Sequence, residues 1–401
     1  MTKNTSNNTK ELPNGWEWKK LGEVAEVKRG KSKHRPRNDK SLFGGKFPFI
    51  QTGDVRNAHK YITEFTESYS EKGLEQSKLW SKGTICLTIA ANIGDVAILG
   101  VDACFPDSVV GILSKKGNNE FMYYFLTTLK EKLESKATKS AQMNLNVEKL
   151  VDFEIPLPPL KEQERIVQKL DTAFQSLDEA ITLQKENIAH TQELKKAVLV
   201  EQIANLDCEM KKLGEVVNIS KTKNPESKPD DFINYLDISS IDNKLFKVSE
   251  TKLMLGKDAP SRARKLAKKG DIVFATTRPS LKNIAIIEAE YDNLICSTGF
   301  CILSPKSIID SKYLYYHATS DFIQEQISPL IRGTQYPAIS DKDLLSCKIP
   351  LPPLPEQERI IAYLDTSFAK LDALIMEQEE RLAQLIELKK SVLQEAFEGK
   401  L

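Results

Sequence analysis

Cysteine is scarce in this sequence, and its spacing excludes two common ways of stabilising a fold. Six cysteines are spread over 401 residues, and no two of them form a C-x-x-C pair, so neither a disulfide framework nor a zinc site is indicated. The sequence also lacks an apolar run of 18 residues, and its start, MTKNTSNNTKELPNG, is polar. We therefore expect no membrane-spanning helix and no signal peptide, and a soluble, cytoplasmic protein.

An excess of one charge is missing as well. Lys and Arg number 57 against 56 Asp and Glu, a net charge of +1, which by itself argues against a partner as polyanionic as DNA. Hydrophobic residues make up 40% of the chain, which excludes wholesale disorder. A chain of this length exceeds what one hydrophobic core usually serves, so we expect at least two domains.

A long internal repeat organises the sequence. The segment IPLPPLKEQERIVQKLDTAFQSLDEAI from Ile155 returns 194 residues later as IPLPPLPEQERIIAYLDTSFAKLDALI from Ile349, and 28 of 49 aligned positions are identical. Each copy follows a diverged block that opens with KKLGEV, at Lys19 and at Lys211. We therefore divide the chain into a polar tail (1–15), a first variable domain (16–154), a first conserved helix (155–204), a second variable domain (205–348) and a second conserved helix (349–401).

The two conserved blocks have the periodicity of long helices that pair along an apolar seam. The seam residues are Leu170, Phe174, Leu177 and Ile181 in the first copy and Leu364, Phe368, Leu371 and Ile375 in the second. Some 40 helical residues span roughly 60 Å, too long for the core of a small domain, so we expect a spacer of two antiparallel helices and a pseudo-two-fold repeat. The prolines of IPLPPL, and Pro355, are expected to precede each helix. Gln184 and Gln378 share one seam position, where they either fix the register or tolerate exposure near a frayed seam.

The variable blocks are predicted to be mixed α/β domains of the α+β type. The β-branched runs TICLTIA, DVAILGV, DIVFATT and IAIIEAE predict strands, whereas EFMYYFLTTLKEKLES and SKYLYYHATSDFIQEQI have helical periodicity. The predicted fold is therefore two globular domains separated by two long antiparallel coiled-coil helices.

Basic residues concentrate at one place in each variable block. VKRGKSKHRPRNDK, which Gly30 and Pro36 should keep as a loop, suits phosphate, and SRARKLAKKG followed by ATTRPS is the matching run in the second block. The candidate DNA-binding residues are Lys31, Lys33, Arg35, Arg37 and Arg56 in the first block and Arg262, Arg264, Lys268 and Arg278 in the second. The alternative for each run is a solvated face, and for Arg278, our choice for a base contact, an ion pair with a carboxylate of its own domain.

Motifs for catalysis on nucleotides are absent. The sequence contains no N-P-P-[FY] motif, no GxxxxGK[ST] motif and no Gly-rich loop for a nucleotide or S-adenosylmethionine. One short cluster, Asp230, Asp242 and Lys244, could hold a metal and a phosphate as in a nuclease, but the first block has no equivalent. The four histidines are isolated, so we predict no catalytic residue and no metal site.

These motifs together resemble a known family, the specificity (S) subunits of type I restriction-modification enzymes. The resemblance rests on two copies of IPLPPL-x-EQ-x-x-I before a long helix, each preceded by a block opening with W-x-W-K-K-L-G-E-V or M-K-K-L-G-E-V. Further phrases similar to the family are GDV at Gly53, LDISSID at Leu236, KGDIVFATTRPSLKNIAI at Lys269, SAQMNLN at Ser140 and GTQYPAIS at Gly333. The two approaches to the helix differ by one residue in length, so loop details are not transferable between the halves.

The resemblance implies a function for each part of the chain. Each variable block is implied to be a target-recognition domain that reads one half of a split DNA sequence, and the helices are implied to hold those domains apart. The family's S subunit is not catalytic and binds no cofactor. It docks two methyltransferase (M) subunits, which use S-adenosylmethionine, and through them restriction (R) subunits that need ATP and Mg.

A different class of protein remains as an alternative. A coiled-coil scaffold whose α/β blocks bind proteins would show the same repeat, but it would not retain DNA. The nuclease reading predicts metal-dependent cleavage by the isolated chain. A gel shift of S plus M with and without divalent metal separates the three.

Overall fold

A computed structural model describes residues 12–90, 92–115, 117–130, 147–204 and 206–401. Residues 1–11 of the polar tail, and the AQMN segment (141–144) of the approach to the first helix, lie outside the described residues. The chain divides into two compact units: unit 1 comprises Met1–Leu183 and Leu382–Leu401, and unit 2 comprises Gln184–Arg381. Each unit therefore holds one variable domain and a part of each long helix.

Unit 1 carries nine strands and the beginning of the first long helix among its described residues. The strands are β1 (Glu17–Lys20), β2 (Ala25–Arg29), β3 (Phe43–Phe49), β4 (Tyr61–Ile62), β5 (Glu67–Tyr69), β6 (Ile85–Thr88), β7 (Val96–Leu99), β8 (Val109–Ser114) and β9 (Glu154–Leu157). The helices are α1 (Leu21–Val24), α2 (Thr52–Asn57), α3 (Glu71–Glu75), α4 (Asn119–Thr128), α5 (Val147–Val151) and α6 (Leu160–Ala204), the last of which continues into unit 2.

The core of unit 1 lies between a five-stranded sheet and the helices. The sheet has the order β2-β8-β6-β7-β4, antiparallel except for the β7–β4 pair. Every residue of β6 and β7 is buried, as expected for runs of apolar residues covered on both faces. Helix α4 packs into this core together with Ile166 and Leu170 of α6. The first three turns of the long helix are therefore part of the domain.

The described residues of unit 2 form twelve strands, and the second long helix begins in this unit. The strands are β10 (Met210–Lys212), β11 (Val217–Asn218), β12 (Phe232–Leu236), β13 (Ile241–Asp242), β14 (Lys247–Val248), β15 (Lys252–Leu255), β16 (Ala263–Leu266), β17 (Ile272–Ala275), β18 (Ile284–Ile286), β19 (Leu294–Ser297), β20 (Phe300–Pro305) and β21 (Lys348–Pro350). The helices are α7 (Leu213–Val216), α8 (Ser311–Thr319), α9 (Asp321–Ile327), α10 (Asp341–Ser346) and α11 (Leu354–Phe397), whose last turns belong to unit 1.

The sheets of unit 2 repeat the plan of unit 1. A four-stranded sheet of order β11-β20-β17-β18 matches the β2-β8-β6-β7 part of the first sheet, and a second sheet has the order β15-β12-β19-β16. In each unit the KKLGEV strand pairs with the strand that precedes the long helix, with Lys19 opposite Ile155 and Lys211 opposite Ile349. This pairing joins the two ends of each variable domain and explains why both motifs repeat.

The predicted secondary structure is confirmed in its main features. The four β-branched runs contain β6, β7, β17 and β18, and the two periodic segments contain α4 and α8. The second segment breaks at Ser320 and continues as α9. The expectation that Pro355 precedes its helix is wrong, because α11 begins at Leu354. A proline is tolerated there since the first amides of a helix have no partner to lose.

The predicted long helices are present and run antiparallel within each unit. In unit 1, Arg165 near the start of α6 donates to the carbonyl oxygen of Leu401 at 2.6 Å, and Asp178 further along meets Lys389. In unit 2, Gln184 donates to the carbonyl oxygen of Gln378 at 3.0 Å. Within the described residues, no helix is both long and apolar enough to cross a membrane.

Candidate DNA interface

The basic loop of the first domain follows β2 and carries two cations without an internal partner. Residues 30–39 contain no helix or strand, as Gly30 and Pro36 predict. Lys31 is half-buried and Lys33 exposed, and neither side chain makes a hydrogen bond or ion pair to the described part of the chain. These two ammonium groups are therefore available to a phosphate.

The arginines of the same loop are engaged within the domain. Arg35 donates to the carbonyl oxygens of Ser32 (2.9 Å) and His34 (2.8 Å), which folds the loop on itself. Nη2 of Arg37 donates to both carboxylate oxygens of Asp107, at 2.9 and 2.8 Å. The exposed Arg56 at the end of α2 lies 3.7 Å from the Asp95 carboxylate. These guanidinium groups can reach a phosphate only by sharing or leaving their partners.

The basic run of the second domain lies at a different place in the repeat from the basic loop of the first domain. The strand that corresponds to β2 is β11, so the equivalent loop is residues 219–224, whereas the predicted run forms β16. Arg262 and Lys268 flank this strand, are exposed and have no side-chain partner among the described residues. Arg264 is half-buried and donates to the carbonyl oxygen of Ala263 at 2.8 Å. Each domain therefore carries its candidate cations on a different element of the repeat.

Arg278 lies on a turn with an unusual backbone. It has φ 48° and ψ 55° and begins a short 3-10 helix, Pro279–Leu281, which ends at Lys282 with φ 50°. Non-glycine residues rarely adopt this left-handed conformation, and they keep it only where the surrounding structure enforces it. The exposed side chain of Arg278 forms no ion pair with any described carboxylate, so the alternative of an internal partner finds no support there.

The loop Gly333–Ala338, which sequence reasoning did not select as a site, lies against this turn. Its ends are closed by two hydrogen bonds of 2.9 Å between the backbones of Arg332 and Ala338. Gly333 has φ +88°, and a Cβ there would lie 2.8 Å from the carbonyl oxygen of Tyr336. The Tyr336 side chain is 72% exposed. An exposed aromatic residue inside the GTQYPAIS phrase was the signal that could have found it.

Each variable domain is fixed to its long helix by the same set of contacts. In unit 1 the Tyr124 hydroxyl donates to Asp171, and the Tyr124 ring meets Phe174 edge to face at 5.4 Å. In unit 2 Tyr316 donates to Asp365 at 2.5 Å and meets Phe368 at 5.5 Å.

A lysine completes each of these joints. Lys60 binds Asp171 in unit 1 and Lys312 binds Asp365 in unit 2. Since the two lysines come from different elements of their domains, the joint is repeated although part of its sequence is not. These contacts fix the orientation of each variable domain on its own long helix.

A glutamine at the start of each helix was also missed by the sequence analysis. The side chain of Gln163 donates to Pro158 and accepts from the Asn118 amide, at 2.8 and 2.9 Å. Gln357 repeats these bonds with Pro352 and Asp310, both at 2.8 Å. Asn118 and Asp310 are the N-caps of α4 and α8. The glutamine of the PPL-x-EQ motif thus ties the start of the long helix to the start of the domain's own helix.

The helices contact each other through equivalent residues in both units. Lys389 lies 4.7 Å from the Phe174 ring and 2.5 Å from Asp178, and Lys195 lies 4.8 Å from Phe368 and 2.5 Å from Asp372. Leu170 and Leu364 belong to the domain cores. The predicted seam residues further along the helices are half-buried: Leu177, Ile181, Leu371 and Ile375.

Gln184 and Gln378 meet at the middle of the pair. Besides the bond to the backbone, the side chain of Gln378 accepts a hydrogen bond from the Thr191 hydroxyl at 3.1 Å. Paired polar groups of this kind favour the interpretation that these glutamines fix the register over the interpretation of mere exposure.

The nuclease hypothesis finds no support in the described residues. Asp242 accepts the amides of Lys244 and Leu245 at 2.9 and 3.0 Å and so shapes the turn between β13 and β14. Asp230 is exposed and lies 3.8 Å from Lys257. Among the described residues, no group of three His, Cys, Asp or Glu side chains could hold a metal ion.

One buried titratable group has no hydrogen-bond partner. The His317 side chain in α8 is fully buried against Tyr313, with ring centroids 4.6 Å apart, and both ring nitrogens are unpaired among the described residues. Burial lowers the pKa of His317 to about 3, because the imidazolium would lose its hydration. It is therefore a neutral packing residue rather than a ligand or an acid–base group.

The geometry defines a class of protein: two variable mixed α/β domains, each fixed by a repeated joint to a pair of antiparallel helices. The profile of the type I restriction modification DNA specificity domain matches residues 13–190 and again 205–384. The chain belongs to this family.

Named relatives agree with this assignment over nearly the whole chain. The MjaVIII type I restriction enzyme specificity subunit of Methanocaldococcus jannaschii is 28% identical, with 97% of this chain and 94% of the relative covered. The EcoDI specificity subunit of Escherichia coli is 23% identical, with 97% and 89% covered. The fold is similar to a chain from a solved structure of the type I R-M system, at TM-score 0.77, 22% identity and 98% and 100% coverage. It is also similar to the HsdS subunit of Thermoanaerobacter tengcongensis, at TM-score 0.55, 23% identity and 98% and 99% coverage.

Proposed function

We propose that this chain selects the DNA sequence for a type I restriction-modification complex, with each variable domain reading one half of a bipartite site. The observation that carries the proposal is the unequal repeat. The helices share 28 of 49 aligned positions and repeat the same contacts to their domains, whereas the domains differ in sequence and in the position of their cations. A protein built this way presents a different reading surface on each copy of the repeat.

Free cations support DNA as the partner of both domains. Lys31 and Lys33 in the first domain, and Arg262, Lys268 and Arg278 in the second, have no side-chain ion pair in the described residues. Phosphate contacts from such groups supply affinity and fix orientation, while contacts to base edges supply specificity. The net charge of +1 does not oppose this role, because the acidic residues of the long helices offset basic surfaces elsewhere.

The repeated helices suit two copies of one partner. Leu194 and Leu388 occupy equivalent positions of the two copies, and their side chains are 53% and 50% exposed. Exposed apolar side chains at equivalent positions of the two copies can make the same contact to two copies of one partner. We assign these surfaces to two methyltransferase subunits, through which restriction subunits join the complex in the cytoplasm. S-adenosylmethionine, ATP and Mg then belong to those partners, and this chain is a non-catalytic subunit.

The proposal is tested by mapping methylated bases in the host genome with and without this chain. We expect one non-palindromic bipartite motif to lose its methylation when the chain is deleted and to regain it on complementation. An unchanged methylome would contradict the proposal. A gel shift of the chain with its methyltransferase, with and without Mg, adds a second readout: the scaffold alternative predicts no DNA retention.

A further inference from the structure

We propose that the turn Arg278–Lys282 and the adjoining loop Gly333–Ala338 form the base-reading surface of the second domain. In this surface Arg278 contacts a guanine through the major groove, and the Tyr336 ring packs against the neighbouring nucleotide. The inference rests on the proposed function and names the residues that would carry it in one half-site.

Backbone hydrogen bonds join the turn to the loop. The amide of Arg278 donates to the carbonyl oxygen of Pro337 at 2.7 Å, and the amide of Ile339 donates to that of Thr276 at 2.9 Å. Thr277 and Ala338 form an isolated antiparallel bridge between these bonds. Arg278 and Tyr336 are therefore held next to each other by main-chain geometry, whatever their side chains do.

The far end of the turn is anchored independently. The Lys282 ammonium binds Asp321 at 2.6 Å and the carbonyl oxygen of Thr319 at 3.1 Å. The side chain of Asn243 donates to the carbonyl oxygen of Leu281 at 2.9 Å. Held at both ends, the turn keeps two residues in the left-handed region, a strain that folded proteins concentrate at functional sites.

Lys282 and Arg278 differ in what their charges do. The charge of Lys282 is used inside the domain, whereas the guanidinium of Arg278 points out from the fixed turn without a described partner. Because the backbone that presents this guanidinium is already ordered, no loop has to be ordered on binding. The guanidinium matches the O6 and N7 acceptors of guanine with two donors.

Tyr336 supplies the second contact. It lies at the tip of the five-residue loop closed by Arg332 and Ala338, with most of its ring exposed. A monomeric fold gains nothing by holding a large ring in water, but a base or sugar can pack on its face. The pairing of one bidentate cation and one ring on adjacent rigid loops is the chemistry that recognises a nucleotide rather than a protein side chain.

The test maps methylation motifs of the full complex carrying Arg278→Ala, Arg278→Lys or Tyr336→Ala. With Arg278→Ala we expect one position of the second half-site to become degenerate, with discrimination at that base pair falling roughly 5- to 150-fold, while the first half-site is unchanged. Arg278→Lys keeps the charge but loses the bidentate fork, so it should relax the same position. Tyr336→Ala should lower methylation of all sites, and Tyr336→Phe should restore it.

Two matched controls come from the same domain. Lys257→Ala removes an exposed cation and Phe232→Ala an exposed ring, 63% exposed, away from the turn; neither should change the motif. If wild-type chain restores a bipartite motif but Arg278→Ala retains it unrelaxed, the inference fails while the proposed function stands. If both Arg278 variants lose all methylation, DNA binding is measured instead. Duplexes that differ from the motif at single base pairs then compete for binding to the complex. Equal weakening at every position overturns the inference, and loss at one position supports it.

Discussion

Replacing the buried histidine of the second domain should make the stability of unit 2 less sensitive to acid. His317 in α8 and Phe125 in α4 each directly follow the repeated tyrosine pair. Phenylalanine therefore already occupies the equivalent position in the first domain. His317→Phe keeps an aromatic ring in the core and deletes two nitrogens that have no described partner.

The magnitude follows from the pKa of the histidine in the two states. Burial lowers the pKa of folded His317 to about 3, whereas unfolded histidine titrates near its usual value of about 6.5. Between these values the unfolded chain binds the extra proton, so stability is lost as the pH falls below about 6.5. At pH 5, roughly 1.5 units below the pKa of unfolded histidine, the stability lost is about 2 kcal/mol. This magnitude requires only that the pKa of folded His317 lies below 5.

Amide hydrogen exchange of peptides from unit 2, measured on the full chain at pH 7 and pH 5 with correction for intrinsic rates, reads this difference. The three tryptophans, Trp16, Trp18 and Trp80, all lie in unit 1, so urea unfolding followed by tryptophan fluorescence serves as an internal control. His317→Phe should reduce the loss of opening free energy in unit 2 by about 2 kcal/mol and leave unit 1 unchanged. An identical pH response of wild type and variant would refute the reasoning; His317→Leu substitutes if the larger ring does not fit.

Three further results are expected from single substitutions. Gln357→Leu strands the groups that its side chain now binds and should lower the free energy of unfolding by roughly 2–4 kcal/mol, seen as a lower melting temperature, whereas Gln168→Leu on the exposed face should be nearly neutral. Gly333→Ala forces a left-handed backbone and a clash at the loop tip and should cost about 1–3 kcal/mol and reduce methylation; Gly53→Ala, with open space around it, should do neither. Lys33→Ala should weaken binding to all duplexes and reduce the salt slope by roughly one unit; a slope equal to wild type would exclude a phosphate contact.

Periodicity and repetition in the sequence were enough to predict the two long helices and the main buried strands. The seam spacing of the conserved blocks predicted two long antiparallel helices, and the β-branched runs predicted β6, β7, β17 and β18. These features depend on burial of one face of a regular element, which leaves a pattern in the sequence. The start of α11 was placed wrongly because a proline inside the first turn is compatible with a helix.

The candidate interface was harder to predict because it depends on contacts between distant segments. The hydrogen bond from the Arg278 amide to Pro337 joins segments almost 60 residues apart, which no local pattern reveals. The sequence analysis ranked Arg37 and Lys33 equally as DNA-binding candidates, because both are basic residues of one loop. In the structure Asp107 binds Arg37 but not Lys33. Gln163 and Gln357 stood inside the repeated motif, yet only their bonds to the N-caps of α4 and α8 explain why that residue type is needed.

The central claim, that each variable domain reads its own half-site, is tested most directly by exchanging the first domain. Residues 16–150 are replaced by the corresponding block of another family member with a different motif, and methylated bases are mapped in cells that carry the same methyltransferase subunit. The account predicts a new motif whose first half comes from the donor and whose second half is unchanged, because the second domain and the repeated joints are intact. A motif changed in both halves, or unchanged in both, would contradict it.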